Sequence, residues 1–111
     1  MVDIKEFFKR DKFAEHCGME LVDVSPGSAK AEMMVKKEHL NGLNTVHGGA
    51  LFTLADLAFG AAANSYGMAT MAINVSITYM TAVTKGKVTA VARLDSRNPK
   101  LSTYTIDIFN D

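Results

Sequence analysis

Tryptophan is absent from these 111 residues, proline occurs twice and cysteine once. A single cysteine, Cys17, rules out an internal disulfide framework. With no signal peptide in the sequence, the reducing cytoplasm is the expected compartment. An excess of one charge is lacking too: Lys+Arg and Asp+Glu number 12 each, so the formal net charge is zero and the pI is near 6.8. That balance gives no bulk attraction to nucleic acid or to an anionic membrane. No apolar run reaches the roughly 18 residues of a bilayer span. Neither nucleic acid nor membrane is therefore an expected partner. Repeats, low-complexity tracts and linkers are also missing, which leaves a single domain over residues 1–111. What the chain has in quantity is apolar side chains, 48% of the total. That suffices for a core, but a chain this short buries only about 60 to 70% of its unfolded surface, so an oligomer interface is a natural supplement.

The apolar content is concentrated in one stretch. Asn41 to Tyr66 is a turn-rich loop running through His47-Gly48-Gly49 into a helix. From Ala50 to Ala63 that helix has only two polar side chains, Thr53 and Asp56, and its apolar residues fall on every face. The pattern predicts a helix buried on all sides. Its fourteen residues, about 21 Å, are too short for a bilayer, so the surroundings should be protein. Asp56 is thereby carried into a core, where an ionised carboxylate costs several kcal/mol unless it is hydrogen-bonded or paired. Carboxylates held in that state concentrate at functional sites.

The helix entrance is a second candidate feature. First-turn N–H groups lack intrahelical partners and lie at the positive end of the macrodipole, and Gly48 and Gly49 bring no Cβ to keep a ligand oxygen away. An oxygen gaining negative charge would be stabilised there. Helical rise sets Asp56 about 10 Å along the axis from Gly49, too far for both to act on one atom within one chain. A second copy of the chain could close that gap.

Elsewhere the periodicities are simpler. Asp3 to Arg10 and Asp11 to Cys17 read as two short helices, with Asp11 as a cap and Gly18 as a stop. His16 and Cys17 are adjacent, but no second Cys/His pair accompanies them and helical neighbours do not face one ligand, so no metal is expected. Met19–Val24 and Ala29–Val35 form a hairpin through the type II turn Ser25-Pro26-Gly27-Ser28. His39 reads as a solvated loop residue. Met71 to Met80 alternates, with Ile73, Val75, Ile77 and Tyr79 on one face, and is expected as a strand; Val88–Leu94 and Ser102–Phe109 follow as two more. One apolar helix among antiparallel strands is the layer logic of an α+β domain.

Leu40-Asn41-Gly42, then His47-Gly48-Gly49-Ala50-Leu51-Phe52, Leu54-Ala55-Asp56 and Ile77-Thr78-Tyr79-Met80 resemble the phenylacetate-pathway (PaaI-like) branch of the hotdog-fold acyl-CoA thioesterases. The resemblance spans roughly residues 13 to 109. It implies a hotdog fold, an antiparallel sheet wrapped around a central buried helix at about residues 49–65. It also implies hydrolysis of an acyl-CoA thioester by a homodimer or homotetramer, with no cofactor, since coenzyme A is part of the substrate. The Gly48 N–H, aided by Asn41 and oriented by His47, would polarise the carbonyl. Asp56 of the other subunit would act as general base or as nucleophile.

The substrate-binding set expected around them is Gly49, Phe52, Thr53, Thr70, Met71 and Ala72; some relatives have a water-orienting hydroxyl where Thr70-Met71-Ala72 stands. Phe52, Met68, Met71 and Met80 are candidates for an acyl tunnel, and Lys85, Lys87, Arg97 and Lys100 for contacts to the nucleotide phosphates. Relatives usually continue into one more strand beyond Asn110-Asp111, so a shortened C-terminus is expected. Residues 57–61, Leu-Ala-Phe-Gly-Ala, carry no histidine, which argues against a hydratase. A non-catalytic acyl-CoA binding module is the alternative, and turnover separates the two.

Overall fold

The computed structural model describes residues 3–111. Two one-turn helices open it, α1 (Ile4–Phe8) and α2 (Lys12–His16). Each is capped by an aspartate: Asp3 accepts from the Lys5 amide and Asp11 Oδ1 from the Ala14 amide at 2.9 Å. Gly18, at φ +70°, ends the second in the left-handed conformation that glycine adopts without strain.

Strands β1 (Met19–Ser25) and β2 (Ser28–Met34) form the expected hairpin, with Gly27 at φ +77° in the third turn position. After β2 comes a short 3₁₀ turn, Lys37–His39, and then the long helix α3 (Gly48–Ala63). The sheet resumes with β3 (Lys87–Arg97) and β4 (Ser102–Asn110), giving one antiparallel sheet in the order β1-β2-β3-β4. No described helix is long and apolar enough to cross a membrane.

Small side chains set how α3 lies on that sheet. Ala29 pairs with Ala92 and Ala31 with Ala90 across β2 and β3, and all four are buried. From the helix, Ala58, Ala61 and Ala62 meet this floor, flanked by Leu51, Leu54 and Leu57. Alanine on alanine lets the helix settle close, so its orientation is fixed by steric fit, and an extra methylene here has nowhere to go.

Two expectations are corrected. The helix is not covered on every side, because Phe52, Ala55, Asp56 and Phe59 line an open groove. Residues 71–80 are not the strand expected of their alternation: among the described residues they join no sheet ladder. Their apolar side chains are open to solvent, Ile73 of the alternating face at 84% and Met71 beside it at 87%. Strand propensity fixes an extended backbone, whereas a strand also needs a neighbour within about 5 Å. Here the nearest sheet edge, β4, lies across the groove.

Candidate active site

The loop from Leu40 to His47 is tied down at both ends. Leu40 and Val46 form an antiparallel bridge, the His47 amide donates to His39 O at 2.7 Å, and the Val46 amide donates to Val83 O at 2.7 Å. Under the loop sits His39, which is buried and not solvated as its sequence context implied. Its Nδ1 accepts from the Lys36 amide at 2.9 Å and its Nε2 lies 2.6 Å from Cys17 O, which fixes the proton on Nε2. Sequence reading missed this anchor, since the partner carbonyl lies 22 residues away.

Asn41 holds the tip of the loop. Its Oδ1 accepts from the Leu43 amide at 2.9 Å and from the amide and hydroxyl of Thr45, each at 3.2 Å. Asn44 adopts the left-handed conformation at φ 61°. The Asn41 side-chain oxygen is thus committed inside its own loop, an Asx turn.

At the start of α3 the donors separate by use. His47 Nδ1 accepts the Gly49 amide at 2.8 Å, so its proton sits on Nε2. The imidazole closes that tightly only because Gly49 lacks a Cβ, which would stand 3.0 Å from Nδ1. The Gly48 amide, by contrast, meets no acceptor among the described residues and points out of the positive end of the helix dipole. The space beside Gly48 is not open to a ligand on every side, as the absence of a Cβ had implied. A Cβ there would lie 3.1 Å from both Cζ and Oη of Tyr79. The hydroxyl of Tyr79 donates to Gly48 O at 3.0 Å. Tyr79 is a second residue that sequence reading did not single out as part of the site; its alternation marked only a face.

Thr53 donates its hydroxyl to Gly49 O at 2.7 Å, bonding back one turn instead of reaching Asp56. Asp56 itself is exposed along the groove and has no hydrogen-bond partner among the described residues. Partial desolvation by the groove's apolar walls raises its pKa above the usual Asp value, with the negative charge of Asp11 a second cause.

The groove, about 1960 Å³, runs between β4 and residues 68–81 over the outer face of α3. Phe52, Met68, Thr70, Met71, Ala72 and Met80 all line it with Asp56, whereas Gly49, Thr53 and Asn41 do not. Phe59 and Tyr104 meet edge to face on its floor, ring centroids 5.6 Å apart. Asn64 clamps its entrance: its Oδ1 accepts the Thr70 amide at 2.8 Å and its Nδ2 donates to Thr70 O at 3.2 Å. At one end Arg97 lies over the Tyr66 ring at 3.6 Å with Lys100 nearby on the wall. Lys87 is engaged with Glu32 and Asp111, and Lys85 is off the groove. Among the described residues no three His, Cys, Asp or Glu side chains could hold a metal ion.

The arrangement is one donor for a developing anion, the Gly48 amide, and one carboxylate without a partner among the described residues, on the same helix about 12 Å apart along its axis. It can polarise a carbonyl at one end and activate water or attack carbon at the other. Comparison with known proteins gives this chemistry a context. A family model described as the thioesterase superfamily matches residues 43–111. The chain is 34% identical over 104 residues to the acyl-coenzyme A thioesterase PaaI of Escherichia coli, covering 93% of this chain and 74% of that protein. It is 29% identical over 111 residues to the human acyl-coenzyme A thioesterase 13, covering 96% and 79%. The solved structure of the E. coli PaaI protein from the phenylacetic acid degradation operon superposes with a TM-score of 0.90 at 32% identity, over 95% of this chain and 77% of that one.

Proposed function

Because the chain belongs to the thioesterase superfamily, with its hotdog fold, and is a thioester hydrolase, we propose that its substrates are acyl-CoA thioesters with an aryl or fatty acyl group, cleaved with Asp56 as general base or nucleophile. The observation that carries this reading is the Asp56 carboxylate, left without a hydrogen-bond partner among the described residues on the wall of the open groove. A carboxylate whose pKa is raised by partial desolvation, and which stands unpaired beside a groove, is the kind of group that concentrates at functional sites.

The Gly48 amide receives the carbonyl oxygen. Negative charge grows on that oxygen as the tetrahedral centre forms, so a fixed N–H at a helix N-terminus binds the transition state more tightly than the ground state. His47 removes the competing Gly49 donor and holds the turn. Asn41 shapes the loop through its Oδ1 and keeps its amide group for polar contact. Phe52, Met71 and Met80 offer adaptable apolar surface to the acyl group. Arg97 and Lys100 are the cations on the groove wall able to meet CoA phosphates. No metal or bound cofactor enters the reaction, and the setting expected for it is the cytoplasm.

One site draws on two chains. Within a protomer the Gly48 donor and the Asp56 acid are about 12 Å apart along α3. Two antiparallel copies related by a two-fold axis bring each Asp56 beside its partner's loop, as an isologous interface permits. The test mixes two inactive variants, Asp56→Asn and Gly48→Val, by dissociation and reassociation. Heterodimers then hold one intact site in two, and thiol release from an acyl-CoA panel should return. Dead mixed dimers, their formation verified by tagged pull-down, would refute the shared site.

A further inference from the structure

We propose that Tyr79 is a positioning residue for the reaction: with His47 it clamps the Gly48–Gly49 peptide plane from opposite ends, and so fixes the direction of the Gly48 N–H. The proposal rests on the oxyanion role of Gly48 given above. The two bonds are on the same peptide unit. Its carbonyl oxygen, Gly48 O, accepts the Tyr79 hydroxyl at 3.0 Å, and its N–H, on Gly49, donates to His47 Nδ1 at 2.8 Å. A peptide unit is planar, so holding both its ends leaves rotation about neither. The adjoining peptide, whose N–H belongs to Gly48, then hinges only at the Gly48 Cα. There the Tyr79 ring stands 3.1 Å from where a Cβ would be, which limits that hinge as well.

The carbonyl oxygen has room for this second bond. It has two lone pairs, and a helix claims only one of them. Glycine at 48 and at 49 is thus explained twice over: one lets the phenol ring approach and the other lets the imidazole approach. An amide that receives an oxyanion is effective in proportion to how little it must reorganise, and a loop donor free to swing would lose that advantage.

Tyr79 also lies on the groove wall, in the 71–80 stretch that has no sheet ladder of its own. Its hydroxyl is therefore a tie between the wall that an acyl group would touch and the donor that its carbonyl would meet. At the other end of the same stretch, Asn64 grips Thr70. Filling the groove and orienting the donor become mechanically connected through one side chain.

Tyr79→Phe keeps the ring and removes the bond. Two measurements decide the matter on the folded variant. Thiol release from the best acyl-CoA should show kcat lowered about 10-fold with KM within twofold, less than the roughly 100-fold that accompanies loss of an oxyanion donor itself. Amide proton exchange at Gly49, read by NMR, should be several-fold faster than in the wild type. A change in exchange with kcat intact makes Tyr79 a structural tie only and overturns the proposal. A rise in KM alone makes it a binding residue and overturns it equally. Unchanged exchange together with unchanged kcat overturns the clamp outright. If the wild type turns over no acyl-CoA in the panel, the proposed function is what fails, and the Gly49 exchange still decides whether Tyr79 clamps the peptide.

Discussion

Replacing Asp56 with Asn should make the protein more stable and nearly inactive at once. The side chain has no hydrogen bond to lose among the described residues, and its shape is kept. Its pKa is raised in the folded chain by desolvation first and by the charge of Asp11 second. A carboxylate whose folded pKa lies above its unfolded value binds its proton more tightly when folded. It destabilises the fold fully above the folded pKa, and the penalty vanishes as pH falls to the unfolded value near 3.9. At neutral pH Asn escapes that penalty. Because Asp56 is exposed, solvent screening confines the gain to about 0.5 kcal/mol. With unfolding entropy near 2.1 cal/mol/K per residue, 111 residues give about 0.23 kcal/mol per kelvin, so Tm should rise by about 2 °C.

The two proteins should converge in Tm on acidification toward pH 4. Activity goes the other way: kcat should fall at least about 100-fold, the lower range for losing a positioned acid or base. In the wild type the acid limb of the kcat profile should lie above the ordinary Asp range, since the base must be ionised to act. Differential scanning calorimetry at several pH values and a thiol-release assay read both arms. Hydrolysis within a few-fold of wild type by the folded Asn variant would refute the catalytic assignment. A Tm lowered at neutral pH would show that Asp56 has a stabilising partner after all.

Gly48→Ala introduces a methyl 3.1 Å from the Tyr79 ring and hydroxyl, and since Tyr79 is half-exposed it can move aside. Thermal stability should change by less than about 1 kcal/mol while kcat falls and KM holds; a raised KM with kcat intact would mean that the amide binds substrate and transition state alike. Ala31→Leu puts a larger side chain between β2 and the helix at a fully buried position paired with Ala90. It should cost about 1 to 3 kcal/mol, or roughly 4 to 13 °C in Tm by the same entropy, and an unchanged Tm would show that α3 does not sit tightly on its alanine floor.

Local chemistry was the legible part of this chain. Asp11 as a cap, Gly18 as a stop and Gly27 in the third turn position each follow from one residue's own conformational preference, and each stands as expected. The hairpins and the α+β class follow from period-two patterns on either side of one apolar helix. Three things were not legible, for a common reason. His39 looked solvated because the carbonyl it binds belongs to Cys17, which no window around His39 contains. Residues 71–80 were expected as a strand because alternation reports a backbone shape and not the presence of a neighbour. The all-round apolar character of α3 announced burial without saying what would do the burying; within one chain the sheet covers only one side. At the site, the spacing from His47 to Asp56 was visible, while the division of labour between the Gly48 and Gly49 amides depends on where His47 and Tyr79 turn their side chains.

In the two-chain arrangement proposed above, the unladdered stretch from Met71 to Met80 makes the chain's stability a matter of mass action. Its backbone donors and acceptors have no sheet partner among the described residues, and the apolar side chains of Ile73 and Met71 lie open beside them. A second copy that paired there in that arrangement would bind the folded form and shift the folding equilibrium by RT ln(1 + [L]/Kd), with the chain as its own ligand. Melting temperature should therefore climb with protein concentration, and dilution should act as a mild denaturant. The same open edge that invites a partner invites indiscriminate strand pairing, so the useful working range is bounded from above by aggregation and from below by dissociation.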